Sequence, residues 1–344
     1  MTDLRNSNLN ELQIIVEALG EKKYRAAQMF DWLHKKRVSE INEMTNIPRA
    51  FLSKLAENCY ITPARVVKKL AADGNNTIKY LLEMQNQVII ECVAMRSDYG
   101  VTVCVSTQAG CRMACAFCAS GLRGLDRSLT AGEILSQVYV IGNDLDEPVS
   151  NVVMMGGGEP LDNYENSVKF IRLINDPNGA NISQRRVTLS TCGLVEGIRR
   201  LVNEGLQITL AVSLHAPNDE IRREIMPAAV KNPYDKLLAA CRDYADKTKR
   251  RVTIEYALIK GVNDSDECAF ELGRRLKGVL CHVNIIPVND VAERGFVKST
   301  GPRVKRFAAI LKEAGIEVTE RLERGSEIAA ACGQLRNGYA RQEG

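Results

Sequence analysis

The apolar positions of this 344-residue chain fall into three regimes. In residues 1–60 they recur at helical spacing. Leu12, Ile15, Val16 and Leu19 make one stripe, and Gly20 suits a helix end. A second stripe runs through Ala26, Met29, Phe30 and Leu33, and a third, after Ile47-Pro48, through Phe51, Leu52 and Leu55. The pattern predicts a small N-terminal helical domain. Residues 61–100 turn to strand-like patterning. Segments 77–82 and 88–95 read as strands about a polar Gln85-Asn86 turn, which predicts a short antiparallel β extension.

From 101 to 344 a different rhythm holds. β-Branched runs occur at 101–105, 152–155, 187–189, 208–212, 252–258, 283–286 and 316–318. Amphipathic stretches such as 131–141 and 164–174 separate them. Alternating strands and helices predict an α/β fold with a parallel sheet. About six such units suit a partial (β/α)6 barrel and are too few for a closed eight-stranded one. In such a barrel the functional residues sit on loops after the C-terminal ends of strands.

Composition refines the picture. The chain is 45% hydrophobic, enough for a sizeable core, and its net charge of +4 permits a nucleic-acid partner without demanding one. No apolar run approaches the ~18 residues of a membrane span, and no basic-then-apolar signal opens the chain. A cytoplasmic protein with no membrane partner is expected. In that compartment 11 scattered cysteines read as metal or catalytic groups rather than a disulfide framework. Lys22, Lys23, Arg25, Lys35, Lys36 and Arg37 are either a solvated face of the helical domain or an RNA contact. The basic pairs Lys68-Lys69, Arg185-Arg186, Arg199-Arg200, Arg222-Arg223 and Arg250-Arg251 read mostly as solvated helix faces.

The strongest local signal is Cys111-Arg-Met-Ala-Cys115-Ala-Phe-Cys118, directly after the first strand of the α/β region. Composition alone would produce that spacing in roughly one such chain in a hundred. Zinc needs four ligands, or three and a water, and none of the three histidines, His34, His215 and His282, adjoins the triplet. Three thiolates suit three irons of a 4Fe-4S cluster, leaving the fourth open to a ligand. After the second strand comes Gly156-Gly157-Gly158-Glu159-Pro160, either a plain strand-ending turn or a close approach to a ligand by a carboxylate that accepts hydrogen bonds. Ser190, Ser213, Leu214, His215 and Asn289 fall at later strand ends. They are satisfied polar ends or groups for ribose and adenine.

The cysteine spacing resembles the signature of the radical S-adenosylmethionine (SAM) superfamily, and Gly156 to Glu159 resembles its motif for the SAM amino group. The resemblance implies a 4Fe-4S cluster on Cys111, Cys115 and Cys118. Its open iron would chelate SAM, which one electron cleaves to a 5′-deoxyadenosyl radical. A narrower resemblance rests on Cys104, on Ser213-Leu214-His215-Ala216-Pro217, on 284–289 and on Ala330-Ala331-Cys332-Gly333-Gln334-Leu335. Over nearly the whole chain, the segment 25–44 included, the sequence is similar to the RlmN-type dual-specificity RNA methyltransferases.

That family methylates carbon 2 of adenosine, in 23S rRNA (position 2503) and in tRNA (adenosine 37). The resemblance implies cofactor contacts from Gly158, Glu159, Ser190, Ser213, Leu214, His215 and Asn289, and two SAM per turnover. It makes Cys332 the S-methylcysteine intermediate and Cys104 the resolving cysteine, forming a transient disulfide with Cys332. A flavodoxin-type donor and a monomeric enzyme are expected. Glu91 matches the family's proton acceptor, 13 residues before Cys104. Strand alternation places it with Ile89, Val93 and Met95, where apolar neighbours would raise its pKa; the plain alternative is a part-exposed edge glutamate. Carbon-8 methylation within the same family shares the cysteine set and stays an alternative, as does a radical SAM enzyme acting on a non-RNA substrate. The chain departs from the family pattern at Glu327 and Ala329, where aspartates are usual, and at Gly157, where a larger apolar residue is. Cys59, Cys92, Cys192, Cys241, Cys268 and Cys281 are expected to pack as small hydrophobes.

Overall fold

The computed structural model describes residues 1–289, 291, 293–321 and 325–335. The helical stripes fold as their spacing dictates. β1 (Thr2–Asp3) is followed by α1 (Leu9–Ala18), α2 (Tyr24–Phe30) and α3 (Arg49–Asn58), and β2 (Cys59–Tyr60) returns parallel to β1. Asn8 and Glu11 cap α1 reciprocally, at 2.9 and 2.7 Å. Leu12, Val16, Met29, Phe30, Phe51 and Leu55 are all buried.

β3 (Arg65–Ala72), β4 (Thr77–Glu83), β5 (Ile89–Ser97) and β6 (Gly100–Cys104) are antiparallel neighbours. β3 arises where the pattern showed no strand, because Arg65, Lys68 and Lys69 interrupt it. Such charges suit a strand at the sheet edge. A ribbon of β7 (Gln108–Gly110) and β8 (Leu125–Ser128) follows, with the cysteine triplet in the loop between. The repeated units are α4 (Ala131–Leu145), β9 (Val149–Met154), α5 (Tyr164–Asn175), β10 (Val187–Thr191), α6 (Val195–Leu201), β11 (Thr209–Ser213), α7 (Asp219–Ile225), α8 (Tyr234–Thr248), β12 (Val252–Leu258), α9 (Asp266–Leu276), β13 (Cys281–Pro287), α10 (Gly301–Glu313) and β14 (Val318–Glu320).

These strands form a 10-stranded sheet in the order β14-β13-β12-β11-β10-β9-β6-β5-β4-β3. From β6 through β14 the neighbours are parallel, joined by helical crossovers. β14 and β3 stand at opposite edges, so the sheet stays open, as a partial barrel does. All seven residues of β12 are buried, as expected of a strand covered on both faces.

The helical domain is fastened to the barrel by one buried cation. Arg5, 3% exposed, donates to the carbonyls of Val38 and Thr62 and, at 2.9 Å, to Ser136 Oγ on α4. Beside it His34 Nδ1 lies 3.1 Å from the Tyr139 hydroxyl. Burial, with Arg5 nearby, pushes the pKa of His34 down to about 3. The unfolded chain takes up this proton near pH 6.5 and the folded chain does not. The His34 contribution is therefore complete above pH 6.5 and declines as pH falls toward 3. At pH 5 the loss is about 2 kcal/mol. Urea titrations of the parent at pH 7 and pH 5 are expected to show that loss, and H34Q to show it reduced by about that amount.

Candidate active site

The C-terminal ends of the parallel strands enclose a cleft of about 160 Å³. Cys111, Cys115 and Cys118 line it, as do Gly158, Glu159, Ser190, Ser213, His215, Asn289 and Cys332. A second cavity of about 450 Å³ adjoins it, sharing Met155, Asn289, Arg321 and Cys332 and adding Cys104. Two expected residues line neither. Leu214 is fully buried in the main core and offers its carbonyl to Arg222 at 3.2 Å. Glu91 lies behind, 2% exposed, in a small recess with Ser106, Gln108 and Ser120.

The cysteine loop is held from outside itself. Cys111 N–H donates to Gly124 O at 2.9 Å, Ala116 N–H to Ile225 O at 2.8 Å, and Arg294 to Cys118 O at 3.2 Å. Burial raises the Cys111 pKa to about 12 and raises Cys115 further, each thiol also opposing the ionisation of its neighbours. A bound cation reverses that balance by favouring thiolates. Among the described residues no three His, Cys, Asp or Glu side chains converge on a single-ion site. Three thiols on one loop facing the cleft fit a cluster that spreads its ligands over several irons.

The glycine run serves the chain before it serves a ligand. A Cβ on Gly156 would meet Val105 O at 2.7 Å, and one on Gly158, whose φ is +100°, would meet Gln108 at 2.6 Å. Only glycine lets this loop nest against the β6–β7 connection. The Glu159 carboxylate accepts from Cys192 N–H at 2.7 Å and Leu161 N–H at 2.9 Å. Burial raises its pKa, and these donors pull it back. The Thr191 hydroxyl and the Cys192 thiol add to these donors, so a ligand ammonium would compete with them for the carboxylate.

His215 takes φ 55° at the end of β11, and its Nδ1 accepts from Ala257 N–H at 2.8 Å. Nε2 is then the protonated nitrogen. Burial holds its pKa near 3, so the ring is neutral, and it meets Phe117 edge-on at 4.8 Å. Asn289 Nδ2 donates to Cys332 O at 2.9 Å. Ala119 N–H donates to Gly333 O and Ser120 Oγ to Leu335 O, both at 2.7 Å, and Lys79 Nζ to Ala329 O at 3.1 Å. Four donors from three parts of the chain thus fix the Cys332 segment.

Several site residues escaped the sequence. Thr191, Cys192, Glu255 and Arg321 line the cleft. Glu255, alone among the charges of an otherwise uncharged buried strand, was a readable signal. Arg321 borders both cavities, and the nearby Cys332 sulfur raises its pKa. Arg222 is no solvated face. It is fully buried and braces the cleft floor through Cys192 O at 2.7 Å and Leu214 O. Glu91 has a charged neighbour rather than apolar ones alone, Lys79 Nζ at 3.2 Å.

The radical SAM superfamily model matches residues 105–272, and the ribosomal RNA large subunit methyltransferase N-terminal domain matches residues 2–61. A solved radical SAM methyltransferase from Sphaerobacter thermophilus superposes with a TM-score of 0.94 at 43% identity, covering 97% of this chain and 99% of that one. Fold and site therefore define a radical SAM methyltransferase, a class that uses a 4Fe-4S cluster and SAM. A Clostridium perfringens strain 13 protein named "Probable dual-specificity RNA methyltransferase RlmN" is 51% identical over 344 residues, 100% of this chain and 99% of the relative. One of the same name from Alkaliphilus oremlandii is 51% identical over 334 residues, 97% of each. The chain belongs to the RlmN family. Among the described residues no helix is long and apolar enough to cross a membrane.

With the loop geometry set by backbone contacts, C118A is expected to fold but to lose cluster iron. The broad absorption near 400 nm of the reconstituted parent should be absent, together with SAM cleavage, while far-UV circular dichroism is unchanged.

Proposed function

We propose that this enzyme methylates carbon 2 of adenosine in 23S rRNA, at position 2503, and of adenosine 37 in tRNAs, with a flavodoxin-type electron donor. The observation that carries the reading is the sharing of Cys332 between the two cavities. One holds the cysteine triplet and the other Cys104. A methyl-bearing sulfur there faces the radical-generating cleft on one side and a resolving thiol on the other.

Carbon 2 of adenine is electron-poor and cannot take a methyl from SAM as a nucleophile would. The Cys332 sulfur can, and it carries the methyl group as a covalent intermediate. Bound to Cys111, Cys115 and Cys118, the cluster with SAM supplies a 5′-deoxyadenosyl radical. The methyl carbon on Cys332, relieved of a hydrogen atom, bonds to carbon 2, joining RNA and protein. The adduct gives up its unpaired electron to a one-electron carrier of the class that supplied the cleaving electron, and Glu91 takes the proton from carbon 2, whose bonding pair restores the ring. Cys104 then attacks the Cys332 sulfur; as the disulfide forms, the sulfur–carbon pair stays on the methylene carbon, which takes up a proton to become the product methyl group, and external reduction resets both thiols. Both are free thiols in this structure.

Burial pushes Cys104 up to about 12, with Cys332 adding to the shift and Arg321 opposing it. C104A is expected to keep SAM cleavage and Cys332 methylation and to accumulate a covalent enzyme–RNA adduct, seen as an RNA-dependent shift on denaturing gels. C332A should keep the cluster and SAM cleavage without methyl transfer. Nucleoside mass spectrometry after an anaerobic reaction with unmodified 23S rRNA or tRNA tests the function itself. The expected product is 2-methyladenosine. 8-Methyladenosine would reassign the regiochemistry, and no methylated adenosine despite SAM cleavage would refute the RNA reading.

A further inference from the structure

The face of the sheet beneath Cys332 is set by strand alternation. Glu91 and Val93 share it on β5, and Val93 pairs with Cys104 on β6. On β4 the residues opposite are Leu81, facing Glu91, and Lys79, facing Val93. Lys79 is therefore the diagonal neighbour of Glu91, within reach of a long side chain.

Lys79 is 1% exposed, and its ammonium lies 3.2 Å from Glu91 Oε1 and 3.1 Å from Ala329 O. Both side chains of the pair are 2% exposed. A buried lysine is rare unless paired, and a buried ion pair is weak evidence of a contribution to stability. The second bond of the ammonium is more telling. Ala329 stands three residues before Cys332, in the left-handed region at φ 51°, which alanine seldom adopts. Such a conformation persists where its surroundings over-determine it. Lys79 is one of those determinants, since it holds the Ala329 carbonyl while its charge faces Glu91.

We infer that Lys79 is a positioning residue that ties the proton acceptor Glu91 to the segment bearing Cys332, setting where the carboxylate stands when the RNA adduct forms. The inference rests on the Glu91 role proposed above. In the step concerned the carbon 2–hydrogen bond breaks, the proton passes to the Glu91 carboxylate, and the electron pair stays on the adduct. The ammonium keeps the carboxylate in its proton-accepting form and at a fixed distance from the strap. Without it, an uncompensated buried carboxylate favours its protonated form.

The test compares K79M, K79R, E91Q and the K79M/E91Q double variant as reconstituted, cluster-loaded enzymes. Each is given SAM, reductant and tRNA carrying adenosine or [2-²H]adenosine. For K79M, adduct breakdown followed from enzyme already methylated on Cys332 should slow by about ten- to a hundredfold, a larger loss than any in 5′-deoxyadenosine formation or Cys332 methylation, which are scored separately. A deuterium effect on release should emerge, because proton removal has become limiting. K79R keeps the charge and should restore most of the release rate. In the double variant both charges are gone, so it is expected to fold even if K79M does not. Its adduct should break down no more slowly than that of E91Q. Parent-like release in K79M, or a further loss in the double variant over E91Q, would overturn the role of Lys79. Parent-like release in E91Q would instead refute the Glu91 reading, which separates the two failures.

Discussion

The site depends on satisfying the backbone of a segment that has almost no regular structure of its own. Residues 326–335 contain one short turn, Ser326–Ile328, and then run irregularly through the region between the cavities. A buried backbone carbonyl without a partner is costly, so such a segment holds only if donors come to it. Lys79, Asn289, Ala119 N–H and Ser120 supply them to the carbonyls of Ala329, Cys332, Gly333 and Leu335. Two of the donors lie on the loop that follows Cys118. The position of the Cys332 sulfur, proposed above to carry the methyl group, is thereby tied directly to the cysteine triplet.

Sheet continuity does the rest. The antiparallel strands β3 to β5 are hydrogen-bonded into the same sheet as the parallel strands, through β5 and β6. Because side chains alternate, one register brings Lys79, Glu91, Val93 and Cys104 to one face. Val93 and Cys104 pack there with Ala330 and Leu335. A slip of one residue in the pairing of β5 with β6 would send Glu91 or Cys104 to the opposite face. The strands that precede the barrel are thus part of the catalytic platform.

Much of this was legible in the chain. The period of the apolar residues gave the helices of the N-terminal region, the antiparallel pair β4 and β5, and the succession of parallel strands. The cysteine spacing and the strand-end positions of Glu159, Ser190, Ser213, His215 and Asn289 led to the cleft. Local pattern could not show contacts between distant segments. Alternation placed Glu91 on the face of Val93, but its partner Lys79 lies 12 residues away on another strand, where no local pattern singles it out. Arg321 meets the catalytic sulfurs only through the fold. Arg222 looked like one half of a solvated basic pair, yet it is a fully buried strut. The glycine run reads from sequence as either a strand-ending turn or a close approach to a ligand, and its first need is the close approach of Gln108 and Val105.

The same burial that makes the site costly also orders its chemistry. Cys104 and Cys332 line one cavity, so as two thiolates they would be poised for oxidation or for displacement at sulfur. Burial raises Cys104 to about 12, which keeps it a thiol near neutral pH. In the resting enzyme it is therefore a poor nucleophile, which would protect the methyl group proposed for Cys332 from early attack. Arg321 is the opposing influence, a cation on the same cavity wall that pulls the Cys104 pKa back down. Cys104 therefore answers to its surroundings: burial holds the proton on its sulfur, and Arg321 on the wall of the same cavity opposes that hold.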